Sequence, residues 1–256
     1  MTQNYLALAP IYDTIMSHVE YDQWVLYIRK ILDDYGETGP ARIFEIGGGT
    51  GLLGSKLRAE GYRYTGSDRS FFMCRQAMKR SLPFFTADAR SLPLKNTVSF
   101  DMVIFLYDGI NYLQTINAYP LVFEQVHRHL NRGGLFLFDI TTIANSQENF
   151  SEFLDAGDFD GHFYFRRSYF HAVDSMQYND FTIFKQIQND PRSPDNACLY
   201  QKAFEHHAQK VFHVKTIKAA VPGKLFDILG IWDNFSFKRY SPGSERVHFL
   251  LKKKSS

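Results

Sequence analysis

Gly47, Gly48, Gly49 and Gly51 lie between an apolar run (Ile43, Phe44, Ile46) and a helical-looking stretch at residues 52–58. A turn without side chains lets the backbone take positive φ and approach a ligand closely, and the helix start behind it offers free N–H groups. Glu45 stands just ahead of the first glycine. Asp68, about 20 positions beyond the glycines, suits a bidentate grip on ribose hydroxyls. Asp88 follows in Thr86-Ala87-Asp88-Ala89-Arg90. The chemistry these groups could support is the binding of a nucleoside-bearing cofactor.

A second set lies far downstream, in Glu205-His206-His207-Ala208-Gln209. Successive side chains on a strand point to opposite faces, so Glu205, His207 and Gln209 share one face and His206 takes the other. Such a face could bind a polar substrate and accept a proton, and imidazole is the side chain that titrates nearest neutrality. The same pattern also fits a solvated strand face. Tyr107, Asp108, Asn111 and Tyr112 form a third polar group, just past an apolar stretch at residues 100–106.

The elements that must position these residues can be read in outline. Strand and helix patterns alternate over residues 41–140, which predicts a parallel sheet with helices on both faces. Strands are expected at the glycine approach and at residues 62–67, 83–86, 100–106 and 135–138, with a helix over 119–130. Ahead of them, apolar residues at helical spacing predict two helices broken near His18 to Tyr21, with Asp22 as N-cap of the second. After Ile140 three strand-like runs, 163–170, 177–188 and 198–209, predict an antiparallel meander inserted between the fifth and sixth core strands. Residues 214–221 and 225–229 read as helical, interrupted by Pro222-Gly223, and strands at 231–237 and 246–252 complete the core sheet.

The ordered set of glycine turn, Asp68, Asp88 and Asp139 resembles class I S-adenosylmethionine-dependent methyltransferases. The resemblance implies an α/β, doubly wound, mostly parallel seven-stranded sheet of the Rossmann-like methyltransferase type. A single domain would comprise a helical cap (residues 1–38), a cofactor-binding core (41–142), an inserted antiparallel β lid (150–210) and the end of the core sheet (211–256). It implies that the glycine turn passes under the amino-acid end of S-adenosyl-L-methionine, that Asp68 holds the ribose, and that Asp88 accepts the adenine amine. Glu45, Arg69, Ala89, Leu106 and Tyr107 complete the implied cofactor site. Tyr12-Asp13-x-x-Met16 followed by Tyr21-Asp22-x-Trp24 is similar to the N-terminal cap of small-molecule methyltransferases, where the tyrosine matching Tyr12 sits near the sulfonium. That similarity makes Tyr12, Glu205 and His207 the candidate catalytic residues. Asp108, Asn111, Tyr112 and Gln209 become the candidate acceptor contacts, and a small-molecule amine of glycine-like or amino-sugar type the expected acceptor. The chain departs from the resemblance at Pro222-Gly223, which breaks a helix expected to be continuous.

Other readings remain open at this point. A nicotinamide-dependent reductase would also use the glycine turn and Asp68, but it wants a glycine where Leu52 stands and leaves Asp88 without a role. A non-catalytic S-adenosylmethionine-binding protein would need no acceptor residues. An RNA, tRNA or protein methyltransferase is the remaining alternative. The chain lacks the Asn/Asp-Pro-Pro-Tyr/Phe pattern of methyltransferases acting on adenine or glutamine, and it lacks the Pro-Cys pair needed for attack on a pyrimidine.

Composition narrows these further. The chain has 256 residues, 29 basic against 27 acidic, and 24 Phe with 15 Tyr. So even a charge balance, with one compact basic run at Lys252 to Lys254 that reads as a solvated chain end, disfavours nucleic acid as partner. No apolar run reaches the roughly 20 residues that cross a bilayer, so no membrane association is expected. Residues 1–4 lack the basic and apolar regions of a signal peptide, which makes the cytoplasm the default. Cys74 and Cys198 suggest neither a disulfide framework nor a metal site. The oligomeric state stays open, a homodimer among the alternatives.

Overall fold

The computed structural model describes residues 5–37, 39–189 and 198–254. Two short strands, β1 (Arg42–Ile46) and β2 (Arg63–Asp68), flank α3 (Leu52–Ala59), after α1 (Tyr12–Ile15) and α2 (Tyr21–Tyr35). Then come α4 (Phe71–Lys79), β3 (Phe84–Thr86), β4 (Phe100–Phe105), α5 (Ala118–His129), β5 (Leu130–Thr141) and α6 (Ile143–Asn149). The second half contains β6 (Glu152–Phe159), β7 (His162–His171), β8 (Met176–Asn189), β9 (Cys198–Lys210), α7 (Val214–Ala220), β10 (Phe226–Asp233) and β11 (Arg246–Lys253).

The strands form a seven-stranded sheet in the order β10-β11-β5-β4-β1-β2-β3 and a separate four-stranded sheet, β6-β7-β8-β9. In the large sheet only β11 is antiparallel to its neighbours; β1 runs parallel to both β2 and β4. The chain moves outward from β1 to β3, then returns to β4 on the other side of β1. This reversal opens a crevice at the carboxyl ends of β1 and β4, the place where open α/β sheets bind ligands.

Side chains alternate across the sheet into two cores. Phe44, Val103, Phe136 and Phe138 pack against Tyr119, Val122, Phe123 and Val126 of α5. Ile43, Met102, Ile104 and Leu137 pack against Trp24, Ile28 and Ile31 of α2. The central strands are apolar on both faces because helices cover both. A third cluster joins Leu8, Ile11 and Ile15 of the N-terminal segment to Tyr164, Phe181 and Ile183 of the small sheet.

Several expectations need correcting. The inserted sheet has four strands rather than three, since residues 152–159 pair antiparallel with β7. Asp155, Gly157 and Asp158 disguise that strand, being poor strand formers tolerated at a sheet edge. Residues 226–229 are strand, not helix, and pair with β11 across a bulge near Gly230. Asp22 lies inside the first turn of α2 and Glu20 occupies the N-cap position without a side-chain bond. The basic run is not a free end: β11 extends to Lys253, whose Nζ donates to the carbonyls of His127 (2.6 Å) and Leu130 (2.8 Å) at the end of α5. Residues 1–4 and most of the turn expected at 189–194 lie outside the described residues. Among the described residues no helix is long and apolar enough to cross a membrane.

Candidate active site

The glycine turn connects β1 to α3 as expected. Gly47 and Gly49 both adopt left-handed backbone, with φ of +67° and +57°. A Cβ on Gly47 would strike the Phe105 ring at 2.9 Å, whereas one on Gly49 would meet nothing within 4 Å. The turn is therefore packed against β4 below and open above, as a cradle for a ligand must be. Asp68, at the end of β2, accepts from the amides of Gly49 (3.0 Å) and Ser70 (2.7 Å). Burial raises its pKa to about 6, against the lowering effect of those amides.

The other residues expected around a cofactor fall near this turn in different states. The Glu45 carboxyl is buried behind it and accepts the Tyr64 hydroxyl; burial raises its pKa to about 7, and the tyrosine bond opposes the rise. Asp88 is gripped side-on by Arg90, with bonds of 2.9 and 2.6 Å, and this guanidinium holds it down at about 2. Arg69 stands 3.7 Å from Asp88 with its side chain 79% exposed. Ala89 and Leu106 are buried. Tyr107 and Asp108 take positive φ in succession (60° and 50°) at the end of β4, and the Arg246 guanidinium lies 4.8 Å from the Tyr107 ring.

That strained corner is held by ions. Asp108 accepts from Arg246 at 3.0 Å and from the Gln209 amide at 2.6 Å, while its own N–H donates to Asp139 at 2.9 Å. Arg246 also pairs with Asp139, which is fully buried. Asn111 is likewise buried, donating to the Lys210 carbonyl (3.0 Å) and accepting the Thr141 amide (3.3 Å). Of the four expected acceptor contacts, Asp108, Asn111 and Gln209 are thus engaged in fixing the corner. The Tyr112 hydroxyl instead meets Tyr5 and His207.

Strand alternation places Glu205, His207 and Gln209 on the buried face of β9, with His206 outside, where it pairs with Asp180. The His207 ring is only 2% exposed. Its Nε2 lies 3.2 Å from Glu205 Oε2 and its Nδ1 3.5 Å from the Tyr112 hydroxyl, which meets the Tyr5 hydroxyl at 2.8 Å. Glu205 is also engaged elsewhere. Its carboxylate accepts the backbone amides of Tyr5 (2.6 Å), Ala7 (2.6 Å) and Leu8 (3.0 Å). Burial pushes its pKa up, but the bonds from His207 and from those amides outweigh it and hold the carboxylate below its usual range.

The N-terminal segment is tied down at its other end as well. Asp13, next to Tyr12, accepts the Thr50 hydroxyl of the glycine turn and pairs with Arg80, whose Nε donates to the Thr50 carbonyl at 3.0 Å. Tyr12 packs edge-on against Tyr5 at 6.0 Å. Burial raises both phenols well above their ordinary range, so they stay protonated. Sequence reasoning missed Tyr5, Thr50, Arg80 and Arg246. An aromatic near a chain start, a threonine inside a glycine turn and two surface-type arginines carry no local signal of such roles.

Residues 43–134, the span that builds the crevice from β1 to β5, match a family profile described as a methyltransferase domain. The chain is 28% identical over 255 residues to a protein of Geobacillus sp. (strain WCH70) provisionally named a methyltransferase, covering 97% of this chain and 99% of that one. An S-adenosylmethionine-dependent methyltransferase from Clostridium acetobutylicum ATCC 824 superposes with a TM-score of 0.77 at 22% identity, over 98% of this chain and 99% of the other. Residues 43–134 thus match a methyltransferase domain, and the whole chain has the fold of an S-adenosylmethionine-dependent methyltransferase. The sugar N-methyltransferase KedS8 from Streptoalloteichus sp ATCC 53650 shares this methyltransferase fold, with a TM-score of 0.75 at 16% identity and coverage of 95% and 93%.

Proposed function

We propose that the protein transfers a methyl group from S-adenosyl-L-methionine to a small-molecule acceptor, most simply an amine, by in-line displacement. The single observation that carries this reading is the Tyr5–Tyr112–His207–Glu205 chain of polar groups, in which Tyr112 feels the fields of both Asp108 and Asp68. A protein that only bound the cofactor would have no use for a buried proton path beside it.

The residues fit the cofactor on the structure's own terms: the turn is open above Gly49, and Asp68 presents a carboxylate held by two amides. S-adenosylmethionine supplies the activated methyl carbon, so the protein needs little covalent chemistry of its own. Asp68 would accept two ribose hydroxyls, and Asp88 would accept the adenine amine while Arg90 steadies it. Leu106, Ala89 and Arg69 would line the nucleoside, and Glu45 would stiffen the turn from behind. Tyr12, Tyr5 and the small sheet would close over the acceptor as a lid, excluding water and fixing the nucleophile, the part of the work in which orientation alone can contribute effective molarities of roughly 10⁵ M or more.

Where the acceptor must lose a proton, the Tyr112 hydroxyl would take it and pass its own to His207 Nδ1, with Glu205 stabilising the imidazole through Nε2. Glu205 would thereby position rather than catalyse. The similarity in fold to a sugar N-methyltransferase supports an amine on a small metabolite. Incubating the protein with methyl-labelled S-adenosylmethionine and a low-molecular-weight metabolite extract, then identifying the product by mass spectrometry, tests the reading. A labelled small amine is expected; label confined to protein or RNA would overturn it.

A further inference from the structure

Arg166 lies on the buried face of the small sheet and has no role in the cofactor grip or the proton path. The register of β7, β8 and β9 places Arg166, Phe181 and Glu205 in one row and Ser168, Asn179 and His207 in the next. The guanidinium reaches across to that second row, donating from Nε to Ser168 Oγ (2.9 Å) and from its terminal nitrogen to Asn179 Oδ1 (2.8 Å). Phe181 lies 5.6 Å from the guanidinium and also packs edge-on against His207, with ring centroids 5.8 Å apart. Phe150 and Phe153 close the other sides, at 5.8 and 5.4 Å.

The charge in this aromatic cage is not neutralised by contact. Among the described residues no carboxylate comes within 4.0 Å of it. Asp155, its cross-strand partner on β6, instead accepts the Tyr164 hydroxyl at 2.8 Å. Ser168 and Asn179 are neutral, and they take two of the five N–H donors of a guanidinium. Among the ionisable groups whose fields reach Arg166, Asp155 comes first, followed by Tyr112, Tyr12 and Asp108, the residues around the proposed acceptor position. Burying a guanidinium with no carboxylate in contact is costly, and burial here disfavours its charged form while the field of Asp155 opposes that effect. A planar fork with donors to spare suits bidentate recognition of an oxyanion.

We propose that Arg166 determines acceptor specificity, and that the acceptor carries an oxyanion, a carboxylate or a phosphate, which docks on the Arg166 guanidinium while its nucleophile faces Tyr112. This rests on the methyl-transfer reading above and narrows its substrate class to anionic small molecules.

The test uses labelled acetate, inorganic phosphate and neutral acetamide as probes, titrated by NMR line broadening into the full-length protein with and without saturating S-adenosylhomocysteine. One anion is expected to bind at least tenfold more tightly than acetamide, acetate marking a carboxylate acceptor and phosphate a phosphorylated one. Arg166→Gln is expected to abolish that preference and Arg166→Lys to retain part of it, with S-adenosylhomocysteine affinity unchanged in both. Equal binding of all three probes by the wild-type protein overturns the proposal without reference to any variant. So does an anion preference that survives in Arg166→Gln, or a variant that loses S-adenosylhomocysteine affinity while keeping the preference, which would assign Arg166 to the cofactor's own carboxylate. Failure of S-adenosylhomocysteine to bind at all would instead overturn the cofactor reading, and the titrations without it would still decide the role of Arg166.

Discussion

The Glu205 carboxylate on β9 accepts the backbone N–H of Leu8 at 3.0 Å, across 197 positions of sequence. With the amides of Tyr5 and Ala7 on the same two oxygens, this bond fastens the N-terminal segment to the small sheet. The expected catalytic glutamate is the anchor of the N-terminal segment, and it meets His207 through the same carboxylate.

Replacing Glu205 by alanine removes charged hydrogen bonds, typically worth roughly 1.5–3 kcal/mol together with the penalty of leaving amides unpaired. Leu8, Ile11 and Ile15 remain buried against the sheet, each worth about 1.5–3 kcal/mol. The segment should therefore loosen without leaving. Hydrogen exchange at residues 5–8 is expected to rise strongly in Glu205→Ala and less in Glu205→Gln, which keeps one acceptor oxygen. Unchanged protection in Glu205→Ala would remove the anchor role.

Asp88→Asn still offers one acceptor oxygen, so calorimetry should find it binding S-adenosylhomocysteine better than Asp88→Ala. Both substitutions release Arg90, whose grip is common to the comparison. Parental affinity in both variants would put Asp88 outside the site.

Arg246 neutralises Asp108 and the fully buried Asp139 at once. Arg246→Met leaves an uncompensated buried carboxylate, a change that typically costs about 3–5 kcal/mol. Urea unfolding should show that loss, and the double variant Arg246→Met with Asp139→Asn should recover part of it. No recovery would mean that the stability lies in packing rather than charge.

Loss of the imidazole in His207→Ala should cut turnover of the identified acceptor by about 10²-fold or more if a base is needed, with little change in S-adenosylhomocysteine affinity. Tyr112→Phe should lose a similar factor, and the double variant little more, since the two act in one chain. Additive losses would separate them.

The residues proposed to hold the cofactor are local and so could be read from the sequence: the glycines, Asp68 and Asp88 follow one another along β1, β2 and β3, each at a strand end. Alternation on β9 correctly put Glu205, His207 and Gln209 on one buried face. What each side chain binds was not legible, because Glu205 meets residues 5–8, Gln209 meets Asp108, and Arg166 meets Ser168 and Asn179 only after two sheets and the N-terminal segment have docked. Residues 226–229 were misread for a different reason: a short apolar run does not distinguish a buried strand from a helix by periodicity.

The central claim is that Asp68 and the glycine turn hold S-adenosylmethionine, and calorimetric titration with S-adenosylhomocysteine as a function of pH tests it most directly. Burial raises Asp68 to about 6, and ribose hydroxyls are accepted by its ionised form. Affinity should therefore be full above that pKa and fall as pH drops through it, and Asp68→Asn should flatten this dependence. Asp68→Ala should weaken binding by roughly 1–3 kcal/mol. Tight binding of NAD with none of S-adenosylhomocysteine, or an Asp68→Ala titration identical to the parent, would contradict the account.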